Sequence, residues 1–161
     1  MTSIYIALGS NIDPEDNLKA AATMLRERLP GIRFSSVYRS APLHHEQQDD
    51  FLNAVAGFDA DLAPDDVYEF LTNVERHLKK APPFKFGPRT IDLDLLLHGN
   101  LIRPDPPLIL PHPRMHERRF VLEPLIELLD PTATHPVIGK TWEELLDKTL
   151  DQKANKLIVR L

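Results

Sequence analysis

The amino-acid sequence predicts an α+β fold, in which helices pack on one mostly antiparallel β-sheet. The chain has 161 residues, a length that suits one domain, and no Pro- or Gly-rich linker divides it. Apolar residues alternate along four segments and recur at helical spacing along two others, in the order strand, helix, strand, strand, helix, strand. This order is that of a ferredoxin-like α/β sandwich, and we expect a single domain over residues 1–161.

The first half of the predicted fold is a strand, a helix and a second strand. Alternating apolar residues place the first strand at Ser3–Leu8, and Gly9–Asn11 should form the turn that follows it. The first helix should begin at Asp13–Pro14, because Asp is a preferred N-cap and Pro is favoured at the first helical position. It should end at Pro30–Gly31, before a second strand at Ile32–Tyr38.

The second half repeats this alternation after an irregular stretch at Ser40–Asp50. Phe51–Asp59 is predicted to be the third strand, and a helix with an apolar stripe should cover Pro64–Leu78. A second irregular stretch, Lys79–Pro88, separates this helix from the fourth strand at Thr90–His98. Loops of this length inside a compact domain are often functional.

Shorter elements are expected in the last part of the chain. Arg103–Pro113 contains five prolines, so no helix can run through it. Short helices are predicted at Pro124–Leu129 and at Thr141–Leu150, the second with a capping box between its first residue and Glu144. Leu157–Leu161 is predicted to form a last strand.

Composition and charge exclude several classes of protein. The chain has no cysteine, which excludes a disulfide scaffold, thiolate zinc sites and a cysteine nucleophile. Its 19 Lys and Arg against 24 Asp and Glu give a net charge of −5, so no nucleic-acid partner is expected. Its apolar runs are too short for a membrane span and its N-terminus is unlike a signal peptide, so we expect no membrane partner and a cytoplasmic location. A monomer is expected, because no long apolar stripe is left over.

Two aspartates on the fourth predicted strand are the first candidate site. Alternation places Asp92 and Asp94 side by side on one face, roughly 7 Å apart. The core face should take Ile91, Leu93, Leu95 and Leu97. Two like charges at this spacing repel each other unless a cation lies between them, and a pair of carboxylates with open positions suits Mg²⁺. The alternative is that this face of the strand is simply exposed to solvent.

Cationic side chains flank this pair in an otherwise acidic protein. They precede it as Lys79, Lys80, Lys85 and Arg89, and they follow it as His112, Arg114, Arg118 and Arg119. Guanidinium and ammonium groups beside a magnesium site indicate a polyphosphate ligand, unless these charges are merely solvated.

An amide and an aromatic ring share a face of the third predicted strand. Asn53 follows Phe51 by two residues, so the pair could hold a flat heterocycle, with stacking on the ring and hydrogen bonds at the edge. The alternative is an ordinary cross-strand pair within the sheet.

Several motifs in these segments together carry a resemblance to a known family. They run in order over nearly the whole chain as Ala7–Asn11, Val37–Leu43, Phe51–Ala54, Phe86–Asp94, Leu110–Met115, Arg118, Phe120–Leu122 and Pro124–Leu125. On these residues the sequence resembles the 6-hydroxymethyl-7,8-dihydropterin pyrophosphokinase family of the folate pathway. The resemblance implies a ferredoxin-like α/β sandwich. It also implies transfer of diphosphate from ATP to the hydroxymethyl group of the pterin, giving the pterin diphosphate and AMP.

The resemblance further implies a role for each candidate residue. The metal ligands for two Mg²⁺ ions would be Asp92 and Asp94. The catalytic set would add Arg89, His112 and Lys80 to this pair. ATP would be bound by Lys80, Lys85, Arg89, Leu95, His112 and Arg118. The pterin would be bound by Ser40, Ala41, Pro42, Leu43, Phe51, Asn53, Phe86, Asp92 and Phe120, with the ring of Phe120 stacked on it.

The two irregular stretches correspond to lids that close over the substrates in this family. The second lid departs from the family pattern, because Lys80, Lys85 and Phe86 stand where arginines and a tryptophan are common. Lysine supplies a point charge without the bidentate fork of arginine. Two other functions remain open at this point: a nucleotidyl transferase, and a pterin- or nucleotide-binding module without turnover.

Overall fold

The computed structural model describes residues 1–40, 50–80 and 91–161. Its strands, in chain order, are β1 (Thr2–Ser10), β2 (Arg33–Phe34), β3 (Tyr38–Ser40), β4 (Phe51–Ala60), β5 (Asp92–His98) and β6 (Asn155–Lys156). Its helices are α1 (Pro14–Arg28), α2 (Pro64–Lys80), α3 (Arg119–Leu125) and α4 (Trp142–Asp147), and a 3₁₀ turn spans Met115–Glu117. The predicted α+β class is confirmed.

The strands form one sheet in the order β5-β1-β4-β3-β6, and β2 also pairs with β4. Every strand pair in the described part of the chain is antiparallel. β1 and β4 form the centre, in unbroken register from Thr2 opposite Ala60 to Ser10 opposite Leu52. Each of the crossovers through α1 and α2 skips one strand before the chain rejoins the sheet. This confirms the ferredoxin-like order.

The two faces of the sheet are covered by different layers. One face packs against α1 and α2, in a cluster that includes the fully buried Ile6, Leu18 and Leu71. The opposite face packs against the 3₁₀ turn, α3 and α4, around Met115 and Leu122. The fold therefore has three layers, and the sheet separates two apolar clusters.

A register shift in β5 inverts the direction of its side chains. Leu95 lies opposite Ile6 on β1, but Leu97 rather than Leu96 lies opposite Tyr5. Leu96 is the extra residue, and both Leu96 and Leu97 pack in the cluster on the α3 side. The expectation that Leu97 shares the core face of Leu95 is therefore wrong, because a bulge breaks the alternation.

β1 is longer than predicted. It continues to Ser10 instead of ending at Leu8, because Gly9 is paired on both sides, with Asn53 on β4 and with Asp92 on β5. A glycine that resembles a turn signal in the sequence is thus part of the central strand, where its lack of a side chain matters for the site described below.

The predicted second strand, Ile32–Tyr38, is instead interrupted to give the short strands β2 and β3. Between them, Ser35 donates its N–H to the carbonyl of Val55 at 2.8 Å, and its hydroxyl oxygen accepts the N–H of Val55 at 2.9 Å. A side-chain oxygen therefore occupies the place of a ladder carbonyl, which interrupts the regular strand.

Two predicted C-terminal elements have the wrong bounds. α3 begins at Arg119 rather than at Pro124, which lies inside the helix near its end. The extended backbone of Arg118 marks the start of α3 (φ −118°, ψ 112°), so the helix is set by this residue and not by the proline. β6 covers Asn155–Lys156 instead of Leu157–Leu161, because only the N–H of Leu157 continues the pairing, to the carbonyl of Val37 at 2.8 Å.

The capping box predicted for α4 is confirmed. The hydroxyl oxygen of Thr141 accepts the N–H of Glu144 at 3.2 Å, and the Glu144 carboxylate accepts the N–H of Thr141 at 3.3 Å. The helix ends at Asp147, three residues before the predicted Leu150. No helix in the described residues is long and apolar enough to cross a membrane.

Truncation of Leu122 to Ala should destabilise the protein strongly. Leu122 is fully buried in the cluster between α3 and the sheet. We expect the free energy of unfolding, measured by urea denaturation, to fall by about 2–5 kcal/mol. Leu150 is 63% exposed, and its replacement by Ala is the matched control, with a change within about 0.5 kcal/mol. Equal losses in the two variants would contradict the packing of this layer.

Candidate active site

The floor of the candidate site is a row of residues across four strands. Asp92 on β5 lies opposite Gly9 on β1, Gly9 lies opposite Asn53 on β4, and Asn53 lies opposite Tyr38 on β3. Residues paired directly on antiparallel strands point to the same face of the sheet. Asp94 follows two residues after Asp92, before the register shift, so both aspartates share this face as predicted.

Gly9 allows the amide of Asn53 to approach β1 closely. A Cβ atom on Gly9 would lie 3.1 Å from Oδ1 of Asn53, closer than ordinary van der Waals contact. Asn53 is buried, and its Nδ2 donates to Oγ of Ser40 at 2.7 Å. The amide is therefore held in one orientation, with its oxygen over Gly9 in the direction of β5.

Glu75 on α2 adds a third carboxylate near the aspartate pair. Its Oε2 accepts the N–H of Leu93, the residue between the two aspartates, at 2.9 Å. Burial raises the pKa of Glu75, the bond to Leu93 and the charge of Lys79 lower it, and the charges of Asp92 and Asp94 raise it again. Negative charge is thus concentrated at this edge of the sheet, where a cation would relieve the repulsion.

The aspartate pair fits a magnesium ion that is held largely by other ligands. Asp92 is half-buried and Asp94 is exposed. In the described ranges, no group of three or more His, Cys, Asp or Glu side chains could hold a metal ion alone. Mg²⁺ keeps several waters and binds through one or two carboxylates together with substrate phosphates. Two carboxylates on an open face are therefore an adequate protein contribution.

His112 lies in the segment between β5 and the 3₁₀ turn, at the point where that segment contacts β5. Its N–H donates to the carbonyl of Leu96 at 2.9 Å, and its Nδ1 accepts the N–H of Arg114 at 3.1 Å. Because Nδ1 accepts, the neutral ring carries its proton on Nε2 and offers a donor there. Burial, followed by the charges of Arg118 and Arg114, lowers the pKa of His112 from 6.5 to about 4.

Arg118 and Arg114 form a cation cluster around the neutral ring of His112. The Cζ of Arg118 lies 5.7 Å from the centroid of the Phe120 ring. Burial and then the charge of Arg114 lower the pKa of Arg118, whereas the charges of Asp94 and Glu117 oppose this shift. Arg118 is therefore within electrostatic range of the aspartate pair. Cations that repel one another in a partly buried cluster are suited to an anionic ligand.

Arg119, the neighbour of Arg118, is held by structural contacts instead. Its Nε lies 3.3 Å from a carboxylate oxygen of Glu123, and its guanidinium also donates to the main-chain carbonyl of Gln152 at 3.1 Å. Arg118, by contrast, senses the charge of Asp94.

Comparison with known proteins identifies the family. The model of the 7,8-dihydro-6-hydroxymethylpterin-pyrophosphokinase (HPPK) family matches residues 5–130. The chain belongs to this family. It is 37% identical over 143 residues to the 2-amino-4-hydroxy-6-hydroxymethyldihydropteridine pyrophosphokinase of Bacillus subtilis, covering 87% of this chain and 86% of that protein. To the protein of the same name from Pseudomonas aeruginosa it is 41% identical, covering 78% of this chain and 79% of that protein.

A longer relative and a solved structure extend this comparison. The folate synthesis bifunctional protein of Arabidopsis thaliana is 35% identical over 88% of this chain, which spans 26% of that protein. HPPK-DHPS of Plasmodium falciparum has a TM-score of 0.72 at 14% identity, and the match covers 94% of this chain and 44% of that chain. The solved structure confirms the fold, and the sequence relatives confirm the predicted pyrophosphokinase function in folate biosynthesis.

The structure brings most of the described site residues to one face of the sheet. These are Ser40, Phe51, Asn53, Asp92, Asp94, His112, Arg118 and Phe120. Leu95 is different, because its side chain is buried in the cluster on the α1–α2 face. The predictions for Ala41, Pro42, Leu43, Lys85, Phe86 and Arg89 lie outside the described residues, and so does the side chain of Lys80.

Sequence reasoning missed Glu75 and a contact between Tyr38 and Glu127. The Tyr38 hydroxyl donates to Oε2 of Glu127 at 2.5 Å, and the N–H of Ser36 donates to Oε1 at 2.9 Å. Burial would raise the pKa of Glu127, but these hydrogen bonds bring it below its usual value. The contact ties β3 to the segment that follows α3. Partners 89 and 91 residues apart leave no periodic pattern in the sequence.

Acidification should destabilise the protein partly through His112. Between pH 6.5 and about 4, His112 is protonated in the unfolded chain but neutral in the folded chain. The free energy of unfolding therefore falls as the pH falls through this window. We expect the free energy of unfolding of wild type to decline more steeply there than that of His112→Asn, in urea denaturation at matched pH values. Burial also lowers the pKa of His135. Because His135 is present in both proteins, its contribution to the pH dependence is the same in each and cancels in the comparison. Parallel pH profiles would contradict the assigned protonation.

Proposed function

We propose that this pyrophosphokinase uses ATP and Mg²⁺ to convert 6-hydroxymethyl-7,8-dihydropterin to its diphosphate, with release of AMP. The observation that carries the proposal is the meeting of two carboxylates and a cation cluster beside a buried, oriented amide. The carboxylates are Asp92 and Asp94, the cations include Arg118 beside the neutral imidazole of His112, and the amide belongs to Asn53. The carboxylates and cations suit a metal-bound triphosphate, and the amide beside them suits the polar edge of a flat heterocycle.

Asp92 and Asp94 would hold two Mg²⁺ ions between the sheet and the triphosphate. Bound Mg²⁺ supplies charge neutralisation on the phosphate oxygens and aligns the transferred group. The support is the shared face of the two carboxylates and the extra negative charge that Glu75 senses from them. Glu75 itself holds the Leu93 N–H and so fixes the strand between the two ligands.

The phosphates would be bound by the cation cluster. Nε2 of His112 offers a neutral donor, and Arg118 offers a guanidinium that can bind phosphate oxygens through two N–H groups. Lys80, Lys85 and Arg89 are proposed to complete this set. Leu95, with its side chain on the opposite face, could reach the nucleotide only through its main chain on the edge strand β5.

The pterin would be bound at the other end of the row. Asn53, oriented by Ser40, would bind the polar edge of the ring, and Phe120 would stack on its face. Ala41, Pro42, Leu43, Phe51 and Phe86 are proposed to enclose it. The pterin would then lie next to Asp92, with its hydroxymethyl group near the metal-bound phosphates.

In the proposed reaction, the hydroxyl oxygen of the pterin attacks the β-phosphorus of ATP. The bond from the β-phosphorus to the oxygen that links it to the α-phosphorus breaks, and that oxygen leaves on AMP while the hydroxyl proton is released. The residues of the chain align attacking and leaving oxygens and stabilise the developing charge, so catalysis rests on positioning and electrostatics. We further propose that the chain acts as a cytoplasmic monomer of one domain.

Product analysis separates this function from the two alternatives. The proposed enzyme forms AMP from ATP only when the hydroxymethyl pterin and Mg²⁺ are both present. A nucleotidyl transferase would release pyrophosphate, and a binding module would consume no ATP. Chromatography of nucleotides with and without the pterin distinguishes these outcomes, and release of ADP would contradict the proposal.

Asp92→Asn and Asp94→Asn should each lower turnover by about 10²- to 10³-fold, the usual cost of losing one preorganised electrostatic group. Each change removes a charged metal ligand and keeps the shape of the side chain. AMP formation at saturating substrates is the measurement, and thermal unfolding should show that both variants fold. Asp147→Asn is the matched control, an exposed aspartate on α4 that should keep wild-type activity. Near-normal rates in either site variant would overturn the metal assignment.

A further inference from the structure

The side-chain amide of Gln152 binds the main chain on both sides of Arg118. Its Nε2 donates to the carbonyl of Glu117 at 2.8 Å, and its Oε1 accepts the N–H of Arg119 at 3.0 Å. These are the groups immediately before and after Arg118, so one amide group fixes the path of the chain through that residue.

The N–H of Arg119 needs such an external acceptor. It belongs to the first turn of α3, where amide groups have no partner inside the helix. Arg118 is the N-cap residue, and its side chain makes no capping hydrogen bond. Its carbonyl accepts the N–H groups of Val121 and Leu122 at 3.1 and 3.0 Å. Gln152 therefore supplies the acceptor that α3 lacks and helps to set where the helix begins.

The main chain of Gln152 also restrains Arg119. Its carbonyl accepts a hydrogen bond from the Arg119 guanidinium at 3.1 Å, and Glu123 holds the other side of that guanidinium at 3.3 Å. Arg119 is thereby retained by the C-terminal segment and by Glu123, whereas Arg118 lies in electrostatic range of Asp94. Gln152 thus acts on both residues of the Arg118–Arg119 pair.

We propose that Gln152 is a positioning residue that holds Arg118 in place for the triphosphate. The inference rests on the proposed function, in which Arg118 binds phosphate. Gln152 lies beyond residues 5–130, the stretch that matches the family model. Because its hydrogen bonds to the Arg118–Arg119 segment go to main-chain groups and to the Arg119 side chain, its effect on the reaction is exerted through Arg118.

A double-mutant cycle tests this role. Gln152→Met keeps the length of the side chain and removes both amide hydrogen bonds. We expect the KM for ATP to rise on the order of 10-fold, part of the ~100-fold that a misplaced group can cost. In an Arg118→Met background the same change should alter this KM by less than about 2-fold, because the effects of coupled residues do not add. Equal effects in both backgrounds would overturn the inference.

Two further variants separate positioning from stability. Lys153→Met places the same side chain at the adjacent, exposed position and should leave the KM for ATP unchanged. Thermal unfolding reports whether Gln152→Met folds. If it does not, Gln152→Glu replaces it in the cycle, since that variant keeps the volume and the acceptor for Arg119. A variant that loses only thermal stability, with the KM for ATP unchanged, would show a merely structural role and overturn the inference.

The affinity for ATP in the presence of Mg²⁺, measured by calorimetry, distinguishes this inference from the proposed function. If wild type binds ATP but forms no AMP with the pterin, the proposed reaction fails, and the affinities of the four proteins of the cycle still decide the role of Gln152. If wild type turns over and Gln152→Met matches it in KM and affinity, only the positioning role fails. If wild type binds no ATP, both fail.

Discussion

The site depends on the way in which β5 presents different side chains on its two faces, on either side of the register shift at Leu96. Before the shift, the apolar side chains of the strand face α1 and α2, which leaves Asp92 and Asp94 on the opposite face. Leu96 lies on that opposite face by alternation, and the shift turns Leu97 to it as well, so that both leucines pack with the 3₁₀ turn and α3. The carbonyl of Leu96 also accepts the N–H of His112. The face of β5 that carries the carboxylates therefore continues into an apolar surface, enlarged by the extra residue, beside which His112 and Arg118 lie.

Like charges lie close together on each side of the site. Asp92 and Asp94 raise the pKa of Glu75 beyond the effect of burial, and neighbouring arginines lower the pKa of His112 in addition to burial. The apolar clusters on both faces of the sheet offset this repulsion. Groups held in this way need no rearrangement when charge develops on a bound substrate, which is the basis of electrostatic catalysis.

Apolar periodicity predicts the order of the strands and the shared face of Asp92 and Asp94, because both depend on alternation within single elements. It does not predict the inversion at Leu97, since a bulge depends on the strand that pairs with it. The paired position of Gly9 is likewise evident only when the strands on both sides are known. Contacts such as that of Gln152 join distant segments through main-chain groups, and these leave no pattern in the sequence.

The segment after residue 130, where the family match ends, is needed to build the site. α3 has seven residues, and an isolated helix of this length is unstable in water. Its position must come from tertiary contacts, and the segment supplies them from two sides. Trp142 and Leu145 of α4 fill the cluster against which α3 packs, and Gln152 holds the first amide of the helix. The part of the chain with the fewest motifs thus determines where Arg118 and Phe120 stand.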